Sequence, residues 1–344
     1  MSDMKTNDSE ILFVAEISAN HLGDLERALD LVKTAVKSGA NAVKFQTYTP
    51  YTMTLDIDAP EFSISSSHDL WGGEKLFNLY EKAHTPWEWH SELFELTKSL
   101  GAIPFSSPFD GTAVDFLEDI GCSIYKIASM ETGDIPLIKR IGETGKPTIM
   151  STGATEYDEI AESVEAFRST GNTDLTLLVC TSSYPADPRD ANIRRMEKLQ
   201  NDFNVKVGLS DHTLGIGVSL GAIALGATVI EKHFTIRRAD GGADGAFSME
   251  PQEFQQLVME GNAVKESLGA ANWKLAESES ESRRLRRSLY ITKDVRKGDL
   301  ITKENLRSIR PGFGCEPKHY GSLLGKRFTS NFSIGTPMKV EYAK

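Results

Sequence analysis

Cysteine is scarce in this chain, and Cys122, Cys180 and Cys315 are the three that it has among 344 residues. They are odd in number, lie far apart and form no CxxC pair. These features exclude a disulfide framework and a structural zinc site of the usual spacing. We therefore interpret the cysteines as reduced thiols of a cytosolic protein.

Positive charge and long apolar runs are also lacking. Lysine and arginine number 38 against 49 acidic residues, which gives a formal net charge of -11. This balance argues against a nucleic-acid partner, which would need a basic face, although a local basic pocket in an acidic protein still binds small anions. No apolar run is long enough to cross a membrane, and the polar MSDMKTNDSE at residues 1–10 has no signal-peptide pattern. We expect a cytoplasmic protein without a membrane partner.

What the chain does have is a regular alternation of strand-like and helix-like segments. Helical segments such as LERALDLVKTAVKSG carry apolar residues at spacings of three and four and end at glycine. Eight strand–helix units predict an α/β fold, a (β/α)8 TIM barrel of typical size. An open doubly wound sheet is the alternative, but no dinucleotide glycine fingerprint follows the first strand. The predicted strands are 11–18, 41–48, 102–109, 123–129, 147–153, 175–185, 206–213 and 229–235.

The composition changes after the predicted barrel. We assign residues 1–269 to a TIM-barrel catalytic domain and the charged, polar stretch 270–287 to a linker. Residues 288–344 have short β-like runs broken by Lys-Gly, Ile-Gly and Arg-Pro-Gly turns, which predicts a small β-rich domain. Inside the barrel, the segment 49–84 is too long for an ordinary connection, and we expect it to cover a site.

Every predicted strand ends in polar residues, at the end where such barrels hold their chemistry. The last strand, VIEKHFT, shows the pattern: alternation along a strand puts Glu231 and His233 on the face toward the barrel and Ile230 and Phe234 on the other. In chain order the strand-end residues are Glu16, Lys44, Gln46, Ser106, Ser107, Lys126, Ser129, Ser151, Thr152, Ser182, Tyr184, Ser210, His212, Glu231 and His233.

Two histidines stand at the ends of adjacent predicted strands. Two imidazoles that converge on one point suit a divalent transition metal, whose shell a carboxylate and water could complete. A lone histidine is more often a hydrogen-bonded core group. The matching positions of His212 and His233, beside Ser210 and Glu231, favour metal ligands over core groups.

Lys44 and Lys126 form a second group at the strand ends. A buried lysine is costly unless it meets an anion or loses its proton. One interpretation is a Schiff-base aldolase or lyase with a lysine nucleophile. The other is a clamp for a small dianionic substrate, and the many serine hydroxyls nearby favour it. The third interpretation is that both lysines are simply solvated at the strand ends and have no functional role.

Two further motifs have weaker functional content. LGIGVSLG at residues 214–221 resembles a phosphate-binding glycine turn, but such turns are common between strands and helices. In HTPWEWH, at residues 84–90, Thr85, Pro86 and Glu88 fit the N-cap, N1 and N3 positions of a capping box. We therefore interpret that motif as structural.

Seven motifs, in order, carry a resemblance to a known family: AEISANH, VKFQTY, FSSPFD, YKIAS, MSTGA, GLSDHT and IEKHFT. They resemble the sialic acid synthase family of nonulosonate-forming enzymes. RRSLY and RPGFG resemble that family's C-terminal antifreeze-like (SAF) domain, a β-clip fold. The resemblance runs from residue 11 to near the end of the chain. Within the family, LWGGEKLFNLYEKAHTPWEWH and FSSPFDGTAVDFLE resemble the pseudaminic acid synthase branch.

The resemblance implies a transferase that condenses phosphoenolpyruvate with an open-chain amino-deoxy sugar and releases phosphate by C–O cleavage. The branch implies 2,4-diacetamido-2,4,6-trideoxy-β-L-altropyranose as the sugar and pseudaminic acid as the product. N-acetylneuraminate and legionaminic acid synthesis are the alternatives with the same chemistry.

The resemblance also implies roles for individual residues. The metal would be Mn²⁺, with Mg²⁺ or Co²⁺ as alternatives, bound by His212 and His233. Glu16 is our first choice for proton transfer, while Glu231 would support the metal or the water. The family further implies a homodimer in which the SAF domain of one subunit forms a domain-swapped lid over the partner's barrel. Phosphoenolpyruvate would be bound by Lys44, Ser107, Lys126, Ser129, Ser151, Ser182 and Ser210, and the sugar by Glu16, Gln46, Tyr184, Asp244 and Arg310.

Overall fold

Eight parallel strands close into a barrel in the computed structural model, which describes residues 10–65 and 72–344. Each strand pairs with the next in sequence, and β8 pairs with β1 to complete the ring. Ten α-helices of the described residues accompany the strands, so the predicted (β/α)8 class is confirmed. The strands are β1 Leu12–Glu16, β2 Ala42–Thr47, β3 Ile103–Pro108, β4 Tyr125–Ile127, β5 Thr148–Ser151, β6 Leu175–Cys180, β7 Lys206–Ser210 and β8 Val229–His233.

The helices of this unit lie between and after the strands. They are α1 Leu25–Lys37, α2 Pro50–Met53, α3 Leu76–Ala83, α4 Trp87–Ser99, α5 Gly111–Asp119, α6 Ile135–Gly142, α7 Tyr157–Arg168, α8 Arg195–Phe203, α9 Gly217–Ala224 and α10 Pro251–Ser267. Short 3-10 turns follow several strands and include Ser18–His21, Ser129–Glu131, Pro188–Asp190, Arg238–Asp240 and Gly245–Phe247.

The register of the strands brings their C-terminal ends to one rim. In β1, Glu16 is aligned with Lys44 of β2 on one side and with His233 of β8 on the other. On the far side of β8 from β1, Ser210 of β7 is aligned with Glu231 of β8. Polar residues at strand ends therefore meet at the same opening.

The apolar core fills the layer between the barrel and its helices. Helix α1 shows how the sequence specifies this packing: the Asp24 carboxylate accepts a hydrogen bond from the backbone N–H of Glu26 at 2.9 Å and so caps the helix. The apolar residues that follow at helical spacing, among them Leu31 and Val32, are fully buried. Burial of one such side chain contributes about 1.5–3 kcal/mol.

The capping-box interpretation of HTPWEWH is wrong. Helix α4 begins at Trp87, one residue later than predicted, and its N-cap Pro86 has an extended backbone and no side-chain cap. The Thr85 hydroxyl lies instead 3.3 Å from His21 Nε2. The position of this helix is stabilised by buried His90, whose Nε2 lies 2.8 Å from the hydroxyl of Thr47 on β2. His90 Nδ1 faces the Pro86 carbonyl at 3.2 Å, so Nδ1 carries the proton and Nε2 accepts.

The long segment after β2 contains α2, the 3-10 turn Pro60–Phe62 and α3. Residues 66–71 lie outside the described residues, and with them Leu70 and Trp71 of the branch motif that begins LWGGEKL. Helix α3 is linked to the end of β2 by an edge-on contact between Tyr80 and Tyr48, with ring centroids 5.8 Å apart.

A second compact unit begins at Gly269. Its strands β9 Ser288–Ile291 and β10 Leu306–Ile309 pair antiparallel, and its helices are α11 Ser280–Arg284 and α12 Tyr320–Leu323, with 3-10 turns at Glu277–Glu279, Pro317–His319 and Val340–Tyr342. A separate small core supports it, formed by Leu289, Ile291, Val295, Ile301, Leu306, Leu323, Phe328 and Met338. Across residues 10–65 and 72–344, no helix has the length and apolar character that would let it cross a membrane.

Candidate active site

Three charged side chains meet at the rim of the barrel and are almost fully buried. The Lys44 ammonium lies 2.8 Å from Glu16 Oε2 and 3.0 Å from Glu231 Oε1, so one cation bridges two carboxylates. Neutral groups extend this set: the Ser210 hydroxyl donates to Glu231 Oε1 at 3.2 Å, and Gln46 Nε2 donates to Glu16 Oε1 at 3.1 Å. The strand-end ring predicted from the sequence therefore exists on this side of the barrel.

The two carboxylates have opposite pKa shifts although they share one lysine. Burial and the nearby Glu231 charge raise the pKa of Glu16, and Lys44 only partly offsets this. For Glu231, burial also acts upward, but the charges of Lys126 and Lys44 outweigh it and hold its pKa below the ordinary value. Glu16 is thus the carboxyl of the pair that takes up a proton more readily, which suits a proton-transfer group.

Lys126 is the second buried cation of the ring. Its ammonium donates to the Ser151 hydroxyl at 2.6 Å and to the Ile127 carbonyl at 3.1 Å, and no carboxylate forms an ion pair with it among the described residues. Burial lowers its pKa to about 8. A lysine in this situation can bind an anion, and it can also act as an amine nucleophile.

Three polar side chains converge on Gly153, just after β5. A methyl group placed on Gly153 would lie 2.3 Å from Ser182 Oγ, 2.8 Å from Ser129 Oγ and 3.0 Å from Cys180 Sγ. The Gly153 backbone N–H donates to Ser129 Oγ at 3.1 Å. Ser107 Oγ is buried too and has no hydrogen-bond partner within the described part of the chain. Hydroxyls and ammonium groups together are the usual partners of phosphate and carboxylate oxygens.

The two predicted metal ligands lie side by side. The rings of His212 and His233 are 5.3 Å apart, and Tyr184 packs against His212 at 4.4 Å. His212 Nδ1 lies 2.9 Å from the Thr181 carbonyl, so Nδ1 carries the proton and Nε2 keeps its lone pair. His233 Nδ1 is buried without a hydrogen-bond partner in the described structure.

These features fit a divalent metal held by two histidines. A carbonyl that fixes the tautomer of a ligating imidazole is the usual outer-shell arrangement, and the partnerless His233 Nδ1 needs a Lewis acid or a donor. No cluster of three or more His, Cys, Asp and Glu side chains suited to a metal occurs in residues 10–65 and 72–344. The protein would therefore supply two ligands, and water or substrate oxygens would supply the others.

A hydrogen-bonded chain leads from the charged triad toward the loop after β8. Gln46 Nε2 donates to Ser18 Oγ at 3.2 Å as well as to Glu16. The Ser18 hydroxyl in turn bonds to Asp244 Oδ2, which also accepts from the Ala19 backbone N–H at 3.3 Å. Burial raises the pKa of Asp244. Two of the predicted sugar-binding residues, Gln46 and Asp244, are thus connected to the predicted proton-transfer group Glu16.

The remaining predicted residue, Arg310, belongs to the second unit, where it follows β10. Sequence reasoning missed Glu131, which ends the turn after β4. Its carboxyl is largely buried, Oε2 has no partner in the part of the chain that the structure describes, and burial raises its pKa to about 7. The signal was present, since Glu131 stands two residues after Ser129 in a strand-end motif.

A second omission lies outside the barrel ring. Lys232 of β8 donates to the Thr213 carbonyl at 2.5 Å and pairs with Asp211 at 3.2 Å, both ions being fully buried. Alternation along β8 predicts that Lys232 faces away from the barrel, but not which carboxylate it meets.

Known proteins are similar to this chain over nearly its full length. The sequence matches the NeuB family over residues 31–272 and the SAF domain over residues 286–339. It is 42% identical to a pseudaminic acid synthase from Campylobacter jejuni over 332 residues, covering 96% of each chain. Identity to an N,N'-diacetyllegionaminic acid synthase from Campylobacter jejuni is lower, 36% over 326 residues, with 93% of this chain and 96% of the relative covered.

A solved structure supports the fold. An N-acetylneuraminic acid (sialic acid) synthetase from Leptospira borgpetersenii, crystallised with citrate, matches with a TM-score of 0.71 and 32% identity. The match covers 80% of this chain and 91% of that one.

Proposed function

The chain belongs to the NeuB family, and from that premise we propose that it synthesises pseudaminic acid. In this reaction phosphoenolpyruvate, 2,4-diacetamido-2,4,6-trideoxy-β-L-altropyranose and water give pseudaminic acid and phosphate. Identity of 42% to a pseudaminic acid synthase against 36% to a legionaminic acid synthase supports this choice of sugar. The buried triad of Lys44 with Glu16 and Glu231 is the observation that carries the chemistry.

Phosphoenolpyruvate binds where cations and hydroxyls are concentrated. Lys126 has no carboxylate partner among the described residues, so an anion can satisfy its charge without breaking an ion pair. Ser129 and Ser182, which converge over Gly153, and the partnerless Ser107 supply donors for the oxygens of the anion. Charge-assisted hydrogen bonds of this kind are short and strong in a dry site.

His212 and His233 would hold a divalent metal, most simply Mn²⁺. When bound, such a metal acts as a Lewis acid toward the sugar's aldehyde oxygen and orients that group. Tyr184 and Phe247 pack against the two imidazoles and exclude water from that side of the site. His212 is oriented by its hydrogen bond to the Thr181 carbonyl.

The reaction forms one C–C bond and breaks one C–O bond. The terminal carbon of phosphoenolpyruvate attacks the aldehyde carbon of the open-chain sugar, and the aldehyde oxygen takes up a proton. Water adds to the carbon that bears the phosphate, and the resulting tetrahedral intermediate releases phosphate. Glu16, with its raised pKa, exchanges the proton at the sugar, while Glu231 stays ionised and offsets the positive charge that develops. Lys44 bridges the two carboxylates and fixes their positions at the rim.

Three further features extend the proposal. The protein acts as a homodimer, and Arg310 of the SAF domain reaches the sugar in the partner's barrel as part of a domain-swapped lid. It works in the cytoplasm, where phosphoenolpyruvate is available. The dimer and the swapped lid are what the family resemblance implies, and the match over residues 286–339 supports the presence of the SAF domain. The free cysteines support the cytoplasmic location.

Phosphate release from phosphoenolpyruvate with Mn²⁺ tests the proposal. We expect turnover with the diacetamido-trideoxy-altrose sugar and none with N-acetylmannosamine. Turnover with N-acetylmannosamine alone would make this a sialic acid synthase, and turnover with the legionaminic precursor alone would reassign the sugar likewise. His212→Ala and His233→Ala should each abolish metal-dependent release while the chain stays folded by circular dichroism. Full activity in either variant would contradict the ligand assignment.

A Schiff-base lyase is the second candidate, since the pKa of Lys126 is lowered to about 8. Borohydride reduction in the presence of substrate distinguishes the two. A covalent adduct on Lys126 or Lys44, together with activity that resists chelators, would replace the condensation chemistry with lyase chemistry.

A further inference from the structure

A cavity of about 390 Å³ opens beside the proposed sugar site. Its volume lies in the range of small-ligand pockets. Two of its wall residues adjoin the hydrogen-bonded chain described above: Ala19 follows Ser18, and Ala243 precedes Asp244. The cavity therefore adjoins the residues that are proposed to bind the sugar.

Most of the wall is apolar. Ala19, Leu22, Leu79, Ala83 and Ala243 contribute it, from the loop after β1, from helix α3 and from the loop after β8. Leu22 remains 42% exposed although it is a large apolar residue. Apolar side chains that face solvent around a concave site typically bind a ligand's apolar group.

The lining of the cavity also includes two charges of opposite sign. The Lys82 ammonium and the Glu74 carboxylate form an ion pair there. A hydrogen-bond donor and an acceptor thus stand together at the edge of an apolar wall. An acetamido group has the matching parts: a carbonyl oxygen that accepts, an N–H that donates and a methyl group that packs against leucine and alanine.

We propose that this cavity is the subsite for the acetamido group of the sugar that is remote from the aldehyde, the one on C4. The assignment rests on the proposed function, and it deepens it by naming what the site recognises. The aldehyde end meets the histidines and Glu16, and the chain through Gln46, Ser18 and Asp244 leads outward to the cavity. The acetamido group on C2, next to the aldehyde, stays inside the barrel mouth.

An anionic substituent would not suit this cavity. The Glu74 carboxylate, the less exposed member of the pair, would repel it. A hydroxyl group in place of the C4 acetamido group would leave the apolar wall without a partner. The cavity therefore discriminates between a sugar with two acetamido groups and a sugar with one.

Helix α3 holds this wall in place. Tyr80, one residue after Leu79, contacts Tyr48 at the end of β2 with ring centroids 5.8 Å apart. Tyr48 stands two residues after Gln46, so this ring contact links the wall to the chain segment that holds the proposed sugar-binding residue. A change in the wall should alter sugar recognition without reaching the lysines and serines of the anion site.

The experiment compares two sugars in the full-length protein with Mn²⁺. One is the diacetamido-trideoxy-altrose sugar, and the other is the same sugar with a hydroxyl on C4. We expect the wild-type protein to favour the first in kcat/KM by about 10-fold to 100-fold, the usual discrimination of a well-fitted apolar pocket. Ala83→Leu, which fills the cavity, should remove most of this preference by lowering kcat/KM for the first sugar only.

Leu79→Asn keeps the side-chain size and makes the wall polar, so it tests the same idea without overfilling the cavity. It should raise KM for the diacetamido sugar about 10-fold and leave KM for phosphoenolpyruvate unchanged. Ala263→Leu, at an exposed position of α10, is the matched control and should leave the wild-type preference intact.

The outcomes separate the two proposals. If the wild-type protein releases phosphate with neither sugar, the proposed function fails and the subsite fails with it. If it uses both sugars but Ala83→Leu and Leu79→Asn keep the wild-type ratio of kcat/KM between the two sugars, the subsite assignment is wrong and the proposed function stands. Loss of the preference in kcat/KM for the diacetamido sugar in both variants, with the control unchanged, would support the assignment.

Discussion

Replacing Gly153 with alanine tests the proposed anion site most directly, because the change adds one methyl group and removes nothing. That methyl would lie 2.3 Å from Ser182 Oγ, 2.8 Å from Ser129 Oγ and 3.0 Å from Cys180 Sγ. The three atoms come from the ends of β4 and β6, so no single movement relieves all three contacts.

The size of the effect follows from these distances. Ordinary contacts begin at 3.4 Å, so the Ser182 hydroxyl must retreat by about 1 Å, because the new methyl lies 2.3 Å away. A displacement of that order in a binding group costs about 100-fold in rate. Overpacking of a buried site also lowers the free energy of unfolding by about 1–3 kcal/mol. We expect kcat/KM for phosphoenolpyruvate to fall by roughly 10-fold to 100-fold.

Steady-state phosphate release, with each substrate varied in turn, measures the kinetic effect, and urea denaturation measures the stability. Gly111→Ala is the matched control, since Gly111 begins helix α5 and an added methyl there meets no atom within 4 Å. The control should keep wild-type kinetics and gain up to about 1 kcal/mol, because alanine restricts the unfolded chain. A Gly153→Ala protein with kcat/KM for phosphoenolpyruvate within about threefold of wild type would refute the placement of the anion over Gly153.

Three other changes test separate parts of the structure. Lys232→Met should lower the free energy of unfolding by about 3–5 kcal/mol, because it leaves the Asp211 carboxylate buried without its cation; urea denaturation of this variant and of one that also carries Asp211→Asn checks it, and equal losses would contradict the reasoning. Burial lowers the pKa of His90 to about 4, so the free energy that the neutral ring contributes to stability is fully present above pH 6.5 and is lost as the pH falls through 4. His90→Asn should therefore flatten the fall in unfolding free energy over this range by up to about 3 kcal/mol, and an unchanged slope would contradict it. Burial raises the pKa of Glu131 to about 7, as it does for Glu16, so Glu131→Gln should make the kcat/KM profile for phosphoenolpyruvate less steep near neutral pH by removing one of two ionising groups; an unchanged steepness would exclude Glu131 as a contributor.

The strands could be predicted from the sequence because each one is a short apolar run with a polar end. The predicted starts lie within two residues of the observed ones, whereas the ends are predicted too late. The largest error is in β6, predicted as 175–185 and observed to end at Cys180. The cause is physical: the polar residues after each strand alternate as strand residues do, although their backbone has already turned into a loop.

Pairing between distant residues could not be predicted in the same way. Alternation places Lys232 outside the barrel, but its bond to the Thr213 carbonyl depends on the register between β7 and β8. The start of α4 could not be predicted from the local sequence pattern for a similar reason. Thr85 has the chemistry of an N-cap, yet its hydroxyl faces His21, which comes from a loop 64 residues earlier. Tertiary contacts decide between two local arrangements of similar energy.

The two groups of buried charges in this unit differ in how completely they are satisfied, and this difference separates structure from function. Behind β8, the Asp211 carboxylate accepts from the Thr213 N–H at 2.9 Å and from the Ser219 hydroxyl at 2.6 Å, besides its pairing with Lys232. At the barrel rim, Glu231 Oε2 is buried without a hydrogen-bond partner among the described residues. Buried ion pairs add little net stability even when they are well satisfied, and partly satisfied ones lower it. The fold therefore gains nothing from the incomplete set at the rim, and a ligand that donates to or bridges these groups is the physical reason for keeping them there.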